Sequence, residues 1–145
     1  MSSSTTDRAT IYAERVVAGD IVAGPHVRNA CRRHLDDLSR DTIHFDAEAA
    51  AKALRFFEER LKLSEGQFEN RPFKSQPAQD FIIGSIFGWK RLDGTRRFRR
   101  AYIEQGKGNG KSPLAGGIGL YGLMADGEAG AEIYSAGATK EQAGI

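Results

Sequence analysis

The run Ala101-Tyr102-Ile103-Glu104-Gln105-Gly106-Lys107-Gly108-Asn109-Gly110-Lys111-Ser112 constrains this chain more than any other stretch, because it joins an apolar segment to a glycine-rich loop ending in Gly-Lys-Ser. Such a loop reads as a phosphate cradle. The apolar segment arrives as a strand, and the glycines let backbone N–H groups curl around phosphate oxygens. Lys111 adds a point charge on the outer phosphates, and the Ser112 hydroxyl reaches the coordination shell of Mg²⁺. A helix opening near Ser112 aims its partly positive N-terminus at the same anion. The usual spacing puts a glycine at position 105, where this chain has Gln105, and Gly106 stands one place later. The competing reading is a flexible surface loop that merely contains a lysine, and the strand-loop-helix flanks argue against it.

Beyond the loop, Leu114, Ile118, Leu120, Tyr121, Leu123 and Met124 predict a buried helix with Pro113 in its first turn. Gly116, Gly117, Gly119 and Gly122 each cost such a helix about 1 kcal/mol relative to alanine. Close approach of the helix backbone to a sheet is the expected compensation. Asp126-Gly127 turns the chain, and Ala131-Glu132-Ile133-Tyr134-Ser135-Ala136 reads as a second strand, parallel to the first through a right-handed crossover. Thr139 caps a final helix. The predicted fold class is therefore α/β, a helical N-terminal region followed by the first part of a P-loop NTPase parallel sheet.

Upstream, residues 1–6 read as a disordered polar tail. Three amphipathic segments follow. Asp7 to Ala18 carries Ile11, Val16 and Val17 and is closed by Gly19. Gly24-Pro25 opens a second helix with Val27, Cys31, Leu35 and Leu38 on its repeat, and Asp46 caps a third with Ala49, Ala50, Ala53, Leu54, Phe57 and Leu61 on one stripe. That third stripe is expected to pack on the two helices before it. Arg28, Arg32, Arg33 and His34 are followed closely by Asp36, Asp37 and Asp41, so a solvated helix face is preferred to a DNA contact. His26, His34 and His44 read as surface or structural residues. Residues 64–75 lose the periodicity and read as a linker, dividing a helical region, 1–63, from the nucleotide-binding part, 76–145. Pro77 opens a short buried helix that carries Gln79, whose amide can pair with a donor and an acceptor on an adenine edge, although a helix-surface glutamine is the commoner case.

The balance of 21 basic and 19 acidic side chains leaves a formal charge of +2, too small to argue nucleic-acid binding by itself. Distribution says more. Lys90, Arg91, Arg96, Arg97, Arg99 and Arg100 surround the Asp93-Gly94 hairpin signal with Phe98 among them. This cluster suits a DNA backbone, a neighbouring subunit's nucleotide, an acidic partner, or a plain solvent-facing hairpin. A single cysteine, Cys31, excludes an internal disulfide and fits a reducing cytoplasm. No signal peptide or membrane-spanning run is seen.

Taken together, Phe87-Gly88-Trp89-Lys90, Asp93-Gly94, Arg96-Arg97-Phe98-Arg99, Ala101-Tyr102, Gly108-Asn109-Gly110-Lys111-Ser112, Leu120-Tyr121 and Asp126-Gly127-Glu128 resemble the large terminase subunit of tailed bacteriophages and prophages. Gly130-Ala131-Glu132-Ile133-Tyr134, Ala138-Thr139-Lys140 and Gln142-Ala143 extend the likeness, as do Gly24-Pro25 and Ala30-Cys31-Arg32-Arg33 upstream. The resemblance implies an ATP-driven motor that moves double-stranded viral DNA into a procapsid in the host cytoplasm. Its implied partners are the portal protein, the small terminase subunit and further copies of itself. It implies ATP and Mg²⁺ as cofactors, with Gly106, Lys107, Gly108, Asn109, Gly110, Lys111 and Ser112 around the phosphates, Lys111 as the catalytic cation, Ser112 on the metal, and Gln79 on the adenine. Lys107 supplies the basic residue that the family often has early in the loop, whereas the tryptophan usual before the glutamine is Ala78 here.

The same resemblance implies that hydrolysis needs an acidic pair at the end of a later strand, and cleavage a nuclease with metal-binding aspartates. Neither pattern occurs by Ile145. The expectation is the N-terminal part of a motor that binds nucleotide weakly alone, with open sheet edges that make it marginally stable or prone to associate. The alternatives are a non-catalytic interaction module that keeps a vestigial nucleotide loop, and another P-loop NTPase such as a kinase or helicase.

Overall fold

A computed structural model describes residues 7–63 and 70–138, which form five helices and one two-stranded antiparallel sheet. The chain divides into two compact units. Unit 1 comprises the residues up to Arg55 together with Ser75–Ala101, and unit 2 comprises Phe56–Lys74 and the residues from Tyr102 onward.

Unit 1 begins with α1, Arg8–Ala18, started by the Asp7 carboxylate, which accepts from the backbone N–H groups of Ala9 and Thr10. Its buried stripe is Ala9, Tyr12, Ala13 and Val16, one face of a 3.6-residue period. Val17 lies on the flank of that stripe and is exposed. Helix α2, Pro25–Asp37, opens on the proline that the sequence offered at its first position. Its buried face is Cys31, His34 and Asp37, whereas Val27 and Leu38 are exposed. Of the expected apolar repeat, Cys31 is thus buried and Leu35 packs half-buried against the core, and His34 and Asp37 carry polar groups into it beside them.

Two features make that tolerable. The indole N–H of Trp89 donates to His34 Nδ1 over 3.0 Å, so Nε2 carries the ring's proton and donates to the Thr10 hydroxyl at 2.9 Å. Phe45, Phe81 and Trp89 meet the imidazole edge-on, with centroids 5.0 to 5.6 Å away. Asp37 accepts from Arg97 at 2.6 Å and from Arg40 at 3.2 Å. Every buried polar atom named here has a partner, which removes most of the cost of burying it.

The remaining elements of unit 1 close around this cluster. Strand β1, Ile43–Phe45, pairs antiparallel with β2, Trp89–Arg91, and sets Phe45 opposite Trp89. Helix α3, Ala47–Arg60, starts where the Asp46 side chain accepts from the Ala49 N–H, and its residues up to Arg55 belong to unit 1. Helix α4, Pro77–Gly88, runs close to α1 because Gly84 has no Cβ to press on Ala9. Gly88 likewise makes room for the Phe45 ring and Ala50. The third helix therefore meets α4 through Ala50, where packing on the first two helices was expected.

In unit 2, Phe73 returns to the end of α3, its N–H donating to the Leu61 carbonyl at 2.9 Å, and its ring lies 5.3 Å from Phe57. Helix α5, Lys111–Met124, buries Leu114, Gly117 and Tyr121. A Cβ at Gly117 would overlap the Phe57 ring and crowd Leu61. The glycines were expected to admit a sheet, but Gly117 admits the α3 end instead. The parallel sheet itself is not seen. Residues 101–106 and 131–137 carry no strand among the described residues, because a strand exists only as part of a ladder and neither run has a backbone partner there. The polar tail at 1–6, residues 64–69 of the expected linker and the expected helix after Thr139 lie outside the described residues.

Burial holds the His34 imidazole below its ordinary 6.5, with Asp7 and Asp37 opposing and Arg33 reinforcing the shift. Burial alone would raise the Asp37 carboxyl, but hydrogen bonds and charge from Arg97 and Arg40 hold it below its ordinary 3.8. Both groups have a folded pKa below the unfolded one, so each contributes stability above its unfolded value that is lost as pH falls through its folded value. Thermal unfolding followed from about pH 7.5 downward should lose stability first below about 6.5 and again below about 3.8. A His34→Gln protein should lack the first step; an unchanged step would mean another group causes it. At the α5 contact, Gly117→Ala should lower stability by about 1–3 kcal/mol through overpacking against the enclosed Phe57 ring. Gly122→Ala, whose Cβ meets Ile133 at an ordinary 3.5 Å, should be neutral or stabilising in the same melts.

Candidate functional site

The glycine-rich loop lies in unit 2 and leads directly into α5. Gly108 and Gly110 have φ of +84° and +74°, backbone conformations that a side chain resists. Gly110 is the residue before the helix, and from there the chain enters α5 with no side-chain cap and no acidic residue in the first turn. The N–H groups of Lys111 and Ser112 have no acceptor among the described residues, and Pro113 has no N–H to satisfy. An uncapped helix start with adjacent cations is an anion site in waiting.

Side chains around that start fit the same use. Lys107, Lys111 and Ser112 are exposed, so two cations and a hydroxyl are open to a ligand. Asn109 donates its side-chain amide to the Gly106 carbonyl at 3.1 Å and bends the loop back on itself. A Cβ at Gly106 would come within 3.2 Å of that amide. The side-chain carbonyl of Gln105 is buried without a hydrogen-bond partner at the loop's entrance. Leu114, buried one turn into α5, and Tyr121, whose ring lies 5.3 Å from Phe56, hold the helix that carries the loop.

The loop can therefore take an anion with several oxygens. Ser112 offers one hydroxyl, and no cluster of three His, Cys, Asp or Glu side chains stands among the described residues. Gln79 belongs to unit 1. It is buried in the first turn of α4, where its side-chain carbonyl accepts from the Gln76 N–H at 3.0 Å and the Gln76 side chain answers to the Gln79 N–H. This reciprocal cap was not foreseen, although a glutamine at N3 behind a polar N-cap is its sequence signature. Equally unforeseen was the pairing of Asp37 with Arg97. The acid-base alternation along α2 read as solvation, and nothing local marks which carboxylate turns inward.

Residues 77–145 match the family model described as terminase large subunit, ATPase domain. Comparisons with curated proteins and with solved structures found no match.

Proposed function

We propose, proceeding from the membership of residues 77–145 in the terminase large-subunit ATPase-domain family, that loop 106–112 binds the phosphates of Mg·ATP in a DNA-packaging motor. The observation that carries this reading is the uncapped start of α5 behind Gly108 and Gly110, with the N–H groups of Lys111 and Ser112 unaccepted and the Lys111 side chain exposed beside them. In this reading Lys111 neutralises the β- and γ-phosphates, Lys107 adds a second cation, and Ser112 completes the shell of a nucleotide-borne Mg²⁺. Gln79 recognises the adenine edge after giving up its bond to Gln76. Hydrolysis is assigned to the acidic pair that the family carries at the end of a later strand. The motor's cargo is double-stranded viral DNA, and its partners are the portal protein, the small subunit and further copies, in the host cytoplasm.

Calorimetric titration with Mg·ATP tests the site. The wild-type chain should bind, and Lys111→Ala should bind about tenfold to a hundredfold more weakly, as expected for loss of a charge-assisted contact. Gln79→Glu keeps the capping acceptor but loses the amide donor, so it should melt like wild type while discriminating less between ATP and GTP. Wild-type affinity in the Lys111→Ala protein would contradict the site, and rapid phosphate release by the chain alone would contradict the assignment of hydrolysis.

A further inference from the structure

Of the three asparagines in the chain, Asn29, Asn70 and Asn109, the last is the one followed by glycine. That pairing carries chemistry of its own, because the nitrogen after an asparagine can close a ring on its side-chain carbon. Asn109 is exposed, and its side-chain amide donates to the Gly106 carbonyl at 3.1 Å. Its side-chain carbonyl accepts no hydrogen bond among the described residues, so the carbon is open to attack. The Gly110 N–H likewise has no acceptor there, and glycine has no side chain to shield the nitrogen. The other two asparagines differ on both counts. Asn29 lies inside α2, where the next N–H belongs to the helix ladder, and its side-chain carbonyl accepts from Arg32. Asn70 is followed by the large side chain of Arg71.

The loop also supplies what the reaction needs. A peptide N–H is a very weak acid, so ring closure waits on the small fraction of Gly110 nitrogen that is deprotonated. Gly110 caps α5, and the helix start, the unaccepted N–H groups of Lys111 and Ser112 and the exposed Lys107 and Lys111 side chains all favour an anion. The same field stabilises the oxyanion that forms when the nitrogen adds to Asn109 Cγ. We infer that Asn109-Gly110 is a self-modifying site, converted to aspartate and isoaspartate while the loop is empty. The Gly110 nitrogen gives its proton to hydroxide, and its lone pair forms the N–Cγ bond. The Cγ–Nδ2 bond then breaks, and Nδ2 takes a proton from water and leaves as ammonia, which restores the hydroxide. Water opens the resulting succinimide at either carbonyl. Cleavage at Cγ gives aspartate and cleavage at the Asn109 main-chain carbon gives isoaspartate, so the net change is one water in and one ammonia out.

Either product puts a carboxylate into the loop, and isoaspartate also adds a methylene to the backbone before Gly110. This part rests on the reading of the loop as the Mg·ATP site. There the new charge repels the phosphates, and bound phosphate in turn offsets the positive field that drives the reaction. An empty site thus loses its affinity with time, whereas an occupied one keeps it.

The test incubates the full chain in mildly alkaline buffer at physiological temperature, digests it after glutamate and follows peptide 105–128 by mass spectrometry. Exchange of NH2 for OH should be at least about tenfold faster at Asn109 than at Asn29 or Asn70, and at least as fast as in a synthetic peptide of residues 105–112. Isoaspartate should appear beside aspartate. Asn109→Gln, whose longer side chain closes a less favourable ring, should stop the reaction at this position. A rate at Asn109 no faster than at the other two, a rate below that of the free peptide, or aspartate without isoaspartate would overturn the inference. Saturating Mg·ATP should slow the reaction, and Asn109→Asp should bind Mg·ATP at least about tenfold more weakly than wild type in calorimetry. An unchanged rate in a chain that calorimetry shows to be loaded would overturn the protection. A chain that takes up no Mg·ATP contradicts the nucleotide reading instead, and its rate at Asn109 still decides the modification.

Discussion

The bond from the Trp89 indole to His34 Nδ1 is the constraint on which unit 1 depends. Indole can only donate, so this contact makes Nδ1 an acceptor and sends the imidazole's single proton to Nε2 and on to Thr10. One ring thereby ties α1, α2 and β2 together, and the aromatic residues around it exclude water that would otherwise compete. The Asp37–Arg97 pair works beside it with a different consequence. The buried Asp37 carboxylate accepts from the part-buried Arg97, so the segment after β2 is fixed to α2 by electrostatics as well as packing. The arginine cluster owes its shape to this anchoring, because one of its members is spent inward and holds the rest outward.

Unit 2 depends on a steric allowance. Gly117 lets α5 approach the end of α3 closely enough for Phe57 to fill the gap, and Phe73 and Tyr121 complete the contact through edge-on rings. Helix α5 is rich in glycine and would be weak in isolation, so its order comes from that contact. The loop before it inherits a fixed take-off point, with its positive-φ glycines presenting the helix start to solvent.

Local chemistry made much of this legible in the sequence. Asp7, Gly24-Pro25, Asp46 and Pro77 announced four helix starts because capping acts within a few residues, and the Gly-Lys-Ser loop announced α5 for the same reason. What could not be read locally was which face of a helix turns inward when its polar groups find distant partners. Along α2 the apolar repeat pointed to Val27 and Leu38, yet His34 and Asp37 are buried because Trp89 and Arg97, more than fifty residues away, satisfy them. Strand formation failed for a related reason. The runs at 101–104 and 131–136 have strand composition, but a ladder depends on a neighbour that composition does not supply.

The family match covers the first turn of α5, where the N–H groups of Lys111 and Ser112 have no acceptor among the described residues and both residues are exposed. Gln79 illustrates how one residue serves two readings, since the amide that caps α4 is the group that would recognise an adenine. The central claim is that the loop itself receives the phosphates. Amide hydrogen exchange of the full chain, with and without saturating Mg·ATP, addresses it most directly. The account predicts that the amides of residues 106–112 become protected by nucleotide, with much less protection when AMP replaces ATP. Unchanged exchange across that loop, with protection appearing elsewhere or nowhere, would contradict it.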